Sequence, residues 1–232
     1  MEVAGLRTEE TINGSIEGIG PTVRYRFEAG GWLGLAFAYV SGRHADLSPG
    51  TKDLDAVASV LTKLQNHARP FPPVPRFADR FTTHLLPGER LHLEGPHLLH
   101  TDINPHNILI AEDGDPYLVD WAMPATGPAW IDLAYTAVRL IECDQTAEVA
   151  LAWLARFPGW QRACPEAVEA FVNVTCRHWT ATVGERGAAA SNARYRMLLN
   201  YRHDASSRRH AMARNHESVP SSSPDLRGSR RP

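Results

Sequence analysis

The spacing of hydrophobic and polar residues predicts strands near the start of the chain. Residues 22–27 alternate between apolar and polar positions, and a second apolar run covers residues 32–40 after Gly30-Gly31. This pattern predicts a β-hairpin. Residues 53–67 then carry apolar positions at helical spacing and open on an aspartate that suits a helix cap.

Further along, the pattern predicts a second hairpin and then a helical region. Residues 69–76 are proline-rich and should be extended, and a helical segment is expected over 77–86. Two apolar runs, 108–111 and 117–119, flank an Asp-Gly turn and predict the hairpin. From Asp132, expected to cap a helix, to about residue 200 the apolar positions recur at helical spacing. The predicted fold class is α+β.

Composition limits the functions that the chain can have. With 232 residues, 43% of them hydrophobic, it can bury one good core. The net charge of −2 creates no field that would recruit nucleic acid or a membrane surface. Three cysteines, an odd number without paired spacing, favour a reduced protein. No secretion signal or apolar stretch of membrane-spanning length is present, so we expect a soluble, cytoplasmic protein.

The chemistry is concentrated in residues 98–121. His100, Asp102 and Asn107 form the pattern H-x-D-x-x-x-x-N, and Asp120 ends the apolar run of the second hairpin. In phosphoryl-transfer enzymes, a polar loop and a hairpin ending on aspartate collect a base and two metal ligands. Asp102 is therefore the candidate catalytic base. Asn107 and Asp120 are candidate ligands of Mg²⁺, which prefers oxygen donors.

Two other interpretations of this stretch remain open. Its polar residues could cap turns on a surface loop, with the last aspartate capping a helix. Alternatively, its histidines and one aspartate could bind zinc. The candidate zinc ligands are His97, His100, Asp102 and His106. Zinc is the weaker alternative because no two histidines fall one helical turn apart on a helix, and Pro105 interrupts any helix here.

The order of these motifs resembles that of a known enzyme family. HTDINPHN, LVDWAMP and GPAWIDLAY are similar to segments of the aminoglycoside phosphotransferase and choline kinase-like family, small-molecule kinases with a protein-kinase-like fold. The resemblance covers about residues 20–200 and is strongest over 98–135. Trp121 follows the metal aspartate where protein kinases have Phe-Gly, which argues against a protein substrate.

The resemblance assigns roles to individual residues. It makes Asp102 the catalytic base, Asn107 and Asp120 the magnesium ligands, and His100 the residue that braces the catalytic loop. Asp132 would hydrogen-bond this loop from below. ATP or another nucleoside triphosphate is the implied co-substrate, with Mg²⁺ as cofactor and a small-molecule hydroxyl as acceptor.

The resemblance also implies how the chain is organised. Residues 1–41 would be the remnant of a nucleotide-binding β-lobe, with the backbone of Ala38 and Val40 in the hinge that binds adenine. Residues 42–202 would form a mostly helical catalytic and acceptor lobe with a catalytic-loop hairpin. Residues 203–232, rich in Ser, Arg and Pro, are expected to be a disordered tail.

The first lobe departs from the family pattern. Residues 1–31 contain no lysine and no glycine-rich phosphate loop. Glu9 or Glu10 could be the remnant of the acidic partner of the missing lysine. The chain looks like a family member that begins part-way through its first lobe, through a misplaced start or a true truncation, so weak or absent activity is expected.

The predicted function is ATP-dependent transfer of a phosphoryl group to a small-molecule hydroxyl. The main alternative is a catalytically dead kinase-like remnant that binds a ligand or partner, and a metal-dependent hydrolase is a remote third. No nucleic-acid or membrane partner is expected, and the oligomeric state and the acceptor stay open. Several acids in the helical region could attract a cationic acceptor, although none is assigned to that role. They are Glu142, Asp144, Glu148, Glu166 and Glu169.

Overall fold

The computed structural model describes residues 3–67 and 73–217. The strands are β1 (Val23–Ala29), β2 (Trp32–Phe37), β3 (Gly42–His44), β4 (His97–Leu99), β5 (Ile108–Ala111), β6 (Pro116–Leu118) and β7 (Ala125–Gly127). The helices are α1 (Val3–Ile12), α2 (Leu54–Gln65), α3 (Glu89–His92), α4 (Ile131–Glu142), α5 (Ala147–Ala155), α6 (Pro158–Arg162) and α7 (Pro165–Glu217). Short 3-10 helices cover Asn13–Ser15, Phe77–Phe81 and Pro105–Asn107. Within the described residues, no helix combines the length and apolarity needed to cross a membrane.

The N-terminal region consists of α1 packed beside the β1–β2 hairpin. The strands pair antiparallel down to Ala29 and Trp32, and the turn uses Gly30 and Gly31, both at positive φ, which glycine adopts without steric cost. The hairpin is therefore confirmed. Three buried isoleucines, at the end of α1 and between α1 and β1, anchor residues 3–20 in the core. These are Ile12, Ile16 and Ile19.

Two small sheets carry the central loops. In the first, β5 lies between β3 and β6, both antiparallel to it, which confirms the second predicted hairpin. Gly42 allows β3 to approach closely, since a Cβ there would lie 2.2 Å from the carbonyl oxygen of Ile110. In the second sheet, β4 pairs with β7. The segment between β2 and β3 therefore connects the hairpin directly to the sheet that carries the motif.

The C-terminal half is helical, as predicted, and surrounds an aromatic cluster. Phe171 on α7 packs edge-on against Trp130 and Tyr135, with ring centroids 5.5 and 5.2 Å apart. Helix α7 opens at Pro165, a favoured first-turn position. Its path is interrupted at Gly184, which has φ 76° and ψ 164°.

Helix α7 reaches further than the sequence pattern predicted. It continues to Glu217, so the beginning of the predicted disordered tail is helical. The reason is local, because residues 203–217 contain good helix formers and no proline, and the next proline is Pro220. The rest of that segment, residues 218–232, lies outside the described residues.

Two other local predictions were wrong. Only Phe77–Phe81 of the helical segment expected at 77–86 is helical, in 3-10 form. Asp53 precedes α2, but its side chain does not cap the helix. It instead accepts two hydrogen bonds from Arg43, at 2.6 and 2.7 Å. A bidentate guanidinium contact is charge-assisted and competes successfully with a neutral cap.

Candidate active site

The H-x-D-x-x-x-x-N motif forms a loop between β4 and β5 whose shape depends on Asn104. The side-chain oxygen of Asn104 accepts the backbone amides of His106 and Asn107, at 2.9 and 3.2 Å. Pro105 occupies the first position of the 3-10 turn, where its fixed φ suits the helical start. The capping interpretation of this stretch therefore holds for Asn104.

Asp102 and Asn107 are brought together by this turn. The amide nitrogen of Asn107 donates to the Asp102 carboxylate at 3.0 Å and to its backbone carbonyl at 2.9 Å. The second carboxylate oxygen of Asp102 accepts a longer bond of 3.3 Å from Asn104. These contacts fix the Asp102 carboxylate in one orientation and use the nitrogen end of the Asn107 amide.

His100 connects the catalytic loop to the strand that leads to Asp120. Its Nε2 lies 2.9 Å from the carbonyl oxygen of Val119, and its Nδ1 accepts the amide of Asp102 at 3.3 Å. The ring also packs edge-on against Trp121, with centroids 4.6 Å apart. Complete burial lowers the pKa of His100, so the ring is neutral at pH 7 with its proton on Nε2. These contacts suit a brace, and a buried neutral imidazole supplies no charge.

Asp132 holds the same loop from beneath. Its two carboxylate oxygens accept the backbone amides of His100 and Thr101, at 2.8 and 2.9 Å. Thr101 has φ 69°, an unfavourable conformation for a β-branched residue, so the loop needs this support. Asp132 is the second residue of α4 and does not cap it. Its carboxylate instead binds the backbone of the catalytic loop, a contact that the local sequence around Asp132 does not predict.

Burial raises the pKa of Asp132 to about 6. Because the pKa is higher in the folded than in the unfolded chain, Asp132 favours folding at low pH, and this contribution is lost as pH rises through about 6. We expect Asp132 to make the free energy of unfolding about 1.4 kcal/mol larger at pH 5 than at pH 8. Urea unfolding of wild type and Asp132→Asn at both pH values measures the difference. Equal pH dependence in the two proteins would contradict this expectation.

Asp120 lies immediately beyond the second hairpin, close to Asn107. The amide of Val119 donates to the Asn107 carbonyl at 3.0 Å, and Ile108 pairs with Leu118 in the sheet. These bonds place the two candidate magnesium ligands on neighbouring strand ends. Asp120 has φ 61°, a left-handed conformation that aspartate tolerates better than most residues.

A cavity of about 530 Å³ lies between the N-terminal hairpin and the central sheet. Ala38, Val40 and Asp120 all line it, together with Trp121. The structure thus brings the predicted hinge residues to the same cavity as the candidate metal ligand. The amide of Ala38 donates to the Thr22 carbonyl at 2.7 Å, so this group is already used within the protein.

Glu9, rather than Glu10, lines this cavity. Only 6% of Glu9 is exposed, and burial followed by the nearby charge of Asp120 raises its pKa. Glu10 instead pairs with Arg26 at 2.7 Å. The helical spacing of Glu9 with the buried Ile12, Asn13 and Ile16 is the sequence signal that could have separated the two glutamates.

The cavity holds little positive charge to offset these carboxylates. Arg43 lines it, but both ends of its guanidinium bind Asp53. His44 lines it too, and its ring packs edge-on against His106 with centroids 5.7 Å apart. Among the described lining residues no lysine is present.

A second cavity, of about 260 Å³, borders the catalytic loop. Asp102 lines it, as do Arg80 and Arg139. The remaining wall is largely aromatic and includes Tyr135 and Trp179. No sequence motif marks the two arginines, since Arg80 lies in a short 3-10 helix and Arg139 lies within α4.

The donor set fits magnesium better than zinc. In the described part of the chain, no three His, Cys, Asp or Glu side chains are grouped as a metal site. The Asp120 carboxylate makes no hydrogen bond to the described protein, and Asn107 directs its nitrogen to Asp102. One carboxylate and one amide oxygen therefore remain, which are hard donors of the kind Mg²⁺ takes alongside water and phosphate.

Comparisons with solved structures identify the fold. Choline kinase LicA from Streptococcus pneumoniae aligns with a TM-score of 0.53 at 14% identity, over 85% of this chain and 79% of LicA. An aminoglycoside phosphotransferase from Alicyclobacillus acidocaldarius aligns with a TM-score of 0.52 at 14% identity, over 90% of this chain and 82% of that one. A search of curated proteins gave no match. The likeness confirms the α+β, protein-kinase-like fold predicted from the sequence.

The sequence comparison defines the family. The profile of the phosphotransferase enzyme family, abbreviated APH, matches residues 45–165, which is more than half of the chain. This range contains the catalytic loop, both candidate magnesium ligands and Asp132. It also contains Arg80 and Arg139 of the second cavity. The solved structures similar to this chain include a choline kinase and an aminoglycoside phosphotransferase. The chain belongs to the phosphotransferase enzyme family.

Proposed function

We propose that this protein transfers the γ-phosphoryl group of ATP, or of another nucleoside triphosphate, to a hydroxyl of a small molecule. One observation carries the proposal: Asp102 lines one cavity and Asp120 lines another. Phosphoryl transfer needs a nucleotide site beside the metal ligands and an acceptor site beside the base.

Each residue has a defined task in this proposal. Asp102 accepts a hydrogen bond from the acceptor hydroxyl, aligns its oxygen for in-line attack, and takes its proton as the bond to phosphorus forms. Asn107 orients Asp102 through its amide nitrogen, and His100 and Asp132 hold the loop. Asn107 and Asp120 would hold Mg²⁺, which supplies charge neutralisation for the phosphates when bound. Catalysis would come mainly from positioning.

Two features support a nucleotide in the larger cavity. It is lined by the predicted hinge residues Ala38 and Val40, and backbone amides and carbonyls of a hinge can recognise a base whatever the side chains are. A structural neighbour, a thermostable mutant of aminoglycoside phosphotransferase APH(4)-Ia, was solved as a ternary complex with AMP-PNP and hygromycin B. It aligns with a TM-score of 0.52 at 14% identity, over 85% of this chain and 83% of that one.

We further propose that turnover is slow. Glu9 and Asp120 place two carboxylates in the nucleotide cavity, and Arg43 is already paired with Asp53. Loss of one preorganised charge donor typically costs about 2.7–4 kcal/mol of transition-state stabilisation. The same observation favours the second candidate, a kinase-like protein that binds a ligand without turnover. The reaction would take place in the cytoplasm, since the three cysteines are free.

The balance of charge in the nucleotide cavity gives a prediction. Replacing Glu9 by glutamine removes one carboxylate beside Asp120 while preserving its size, so nucleotide affinity should increase about fivefold. The matched control is Glu10→Gln, which changes the same charge on the same helix but outside the cavity. Isothermal titration calorimetry with Mg-ATP measures both. Unchanged or weaker binding by Glu9→Gln would contradict the proposed nucleotide position.

The decisive experiment for the proposal is titration of the full chain with Mg-ATP, followed by ³¹P NMR of the mixture with a panel of small hydroxyl compounds. Binding together with a new phosphate ester signal would establish a phosphotransferase. Nucleotide binding without any ester would favour the ligand-binding alternative. No binding at millimolar nucleotide by the folded protein would exclude an active kinase.

A further inference from the structure

The acceptor-side cavity carries a charge pattern that restricts the acceptor. We use "acceptor-side cavity" for the 260 Å³ space lined by Asp102, Arg80 and Arg139. Away from Asp102, the charged groups in its described lining are the two guanidiniums. This inference rests on the proposed function, because it takes Asp102 as the group that contacts the acceptor hydroxyl.

Arg80 is held in place but not neutralised. Its guanidinium donates to the hydroxyl of Thr101 and to the carbonyl of Met123, with a longer bond of 3.3 Å to Pro124. All three partners are uncharged, and no carboxylate of the described residues lies within ion-pair distance of Arg80. Burial lowers the pKa of Arg80. The carboxylates of Asp132 and Asp102 act on this guanidinium only from beyond ion-pair distance. An anionic ligand in direct contact would compensate the buried charge more fully.

Arg139 adds to the positive potential. It pairs with Glu142, but Glu142 also pairs with Arg194 at 3.4 Å, so two cations share one carboxylate. The buried Asp132 does not line the cavity, and its two oxygens already accept backbone amides. Near the cavity, Asp102 is therefore the negative group that faces the ligand, and the proposed reaction engages it with the hydroxyl.

The remaining wall supplies mainly apolar and aromatic contact. Tyr135 and Tyr195 pack with ring centroids 6.1 Å apart, and Trp179 lies beside them. His178 adds no positive charge to the cavity. Burial and the adjacent His84 lower its pKa and keep its ring neutral. Its Nδ1, like the Oγ1 of Thr175, is buried without a hydrogen-bond partner in the described protein.

We propose that the acceptor is an anionic hydroxyl compound, with a carboxylate or similar group placed by Arg80 and Arg139 and an aromatic or apolar body against the tyrosines. Cationic amino alcohols would be disfavoured, since two guanidiniums would repel them. None of the acidic residues that suggested a cationic acceptor from sequence lines this cavity.

Three probes of equal shape and different charge test the proposal. They are para-(hydroxymethyl)benzoate, its neutral amide, and para-(hydroxymethyl)benzylamine. Affinities are measured by NMR titration of the full chain, without nucleotide and with Mg-ADP. We expect the benzoate to bind at least about tenfold more tightly than the amine, with the amide between them. Since binding needs no turnover, failure of phosphoryl transfer would not obscure the result.

Variants assign the preference to the arginines. Arg80→Gln and Arg139→Gln should each reduce the ratio of benzoate to amine affinity about tenfold. Arg139→Gln serves as the second variant because Arg80 also supports the loop at Thr101. Arg90→Gln is the control, since Arg90 pairs with Asp79 and lies outside the cavity. Equal affinities, tighter amine binding, no binding of any probe, or a preference that persists in both arginine variants would overturn the proposal.

Discussion

Replacing Asp102 by asparagine is expected to lower the rate of phosphoryl transfer by a factor of about 10²–10⁴. The asparagine keeps the size of the side chain, and the backbone carbonyl of residue 102 still accepts from Asn104 and Asn107, so the loop should retain its shape. It cannot accept the proton of the acceptor hydroxyl or align it as strongly as a carboxylate. The rate is measured by ³¹P NMR or by ADP release with an acceptor found in the screen.

The pattern of effects tests whether Asp102 acts as a catalytic group. Nucleotide affinity should change less than about threefold, because Asp102 lines the acceptor-side cavity and not the nucleotide cavity. Asp115→Asn is the matched control, as it makes the same change on an exposed residue at the β5–β6 turn. If Asp102→Asn retained most of the activity, the carboxylate would not be the catalytic base.

Replacing Asp120 by asparagine is expected to weaken nucleotide binding by at least about 30-fold when Mg²⁺ is present. Asparagine is preferred to alanine here because Asp120 has φ 61°, and asparagine tolerates this left-handed conformation. The Asp120→Asn variant therefore tests the negative charge of the Asp120 side chain without adding backbone strain. Isothermal titration calorimetry with Mg-ATP provides the affinities.

Titration in excess chelator separates metal binding from direct contact. Without magnesium, wild type and Asp120→Asn should bind ATP with similar, weak affinity, and the variant could even bind more tightly because a negative charge beside the phosphates is lost. Asp113→Asn, on the exposed hairpin turn, is the matched control. If the variant weakened binding equally with and without magnesium, Asp120 would not be a metal ligand.

The sequence alone determined the family and the elements that carry the motif. His100, Asp102, Asn107 and Asp120 are local signals, since each lies at a fixed distance from the next and the hairpin between them follows from alternation and an Asp-Gly turn. The helical C-terminal half was also predictable, because its apolar positions repeat at helical spacing over many turns. A single sequence reliably reveals motifs whose residues are close together in the chain and apolar repeats that continue over many turns.

Tertiary structure decided which charges meet. Asp53 precedes a helix and Asp132 lies in the first turn of one. Their carboxylates nevertheless bind Arg43, 10 positions away, and the catalytic loop at His100, 32 positions away. Glu9 and Glu10 are neighbours in sequence, and only the packing of α1 turns Glu9 into the nucleotide cavity. The acceptor-side cavity gathers its arginines from separate elements. No local pattern specifies such long-range pairing, because burial and charge compensation depend on how the whole chain packs.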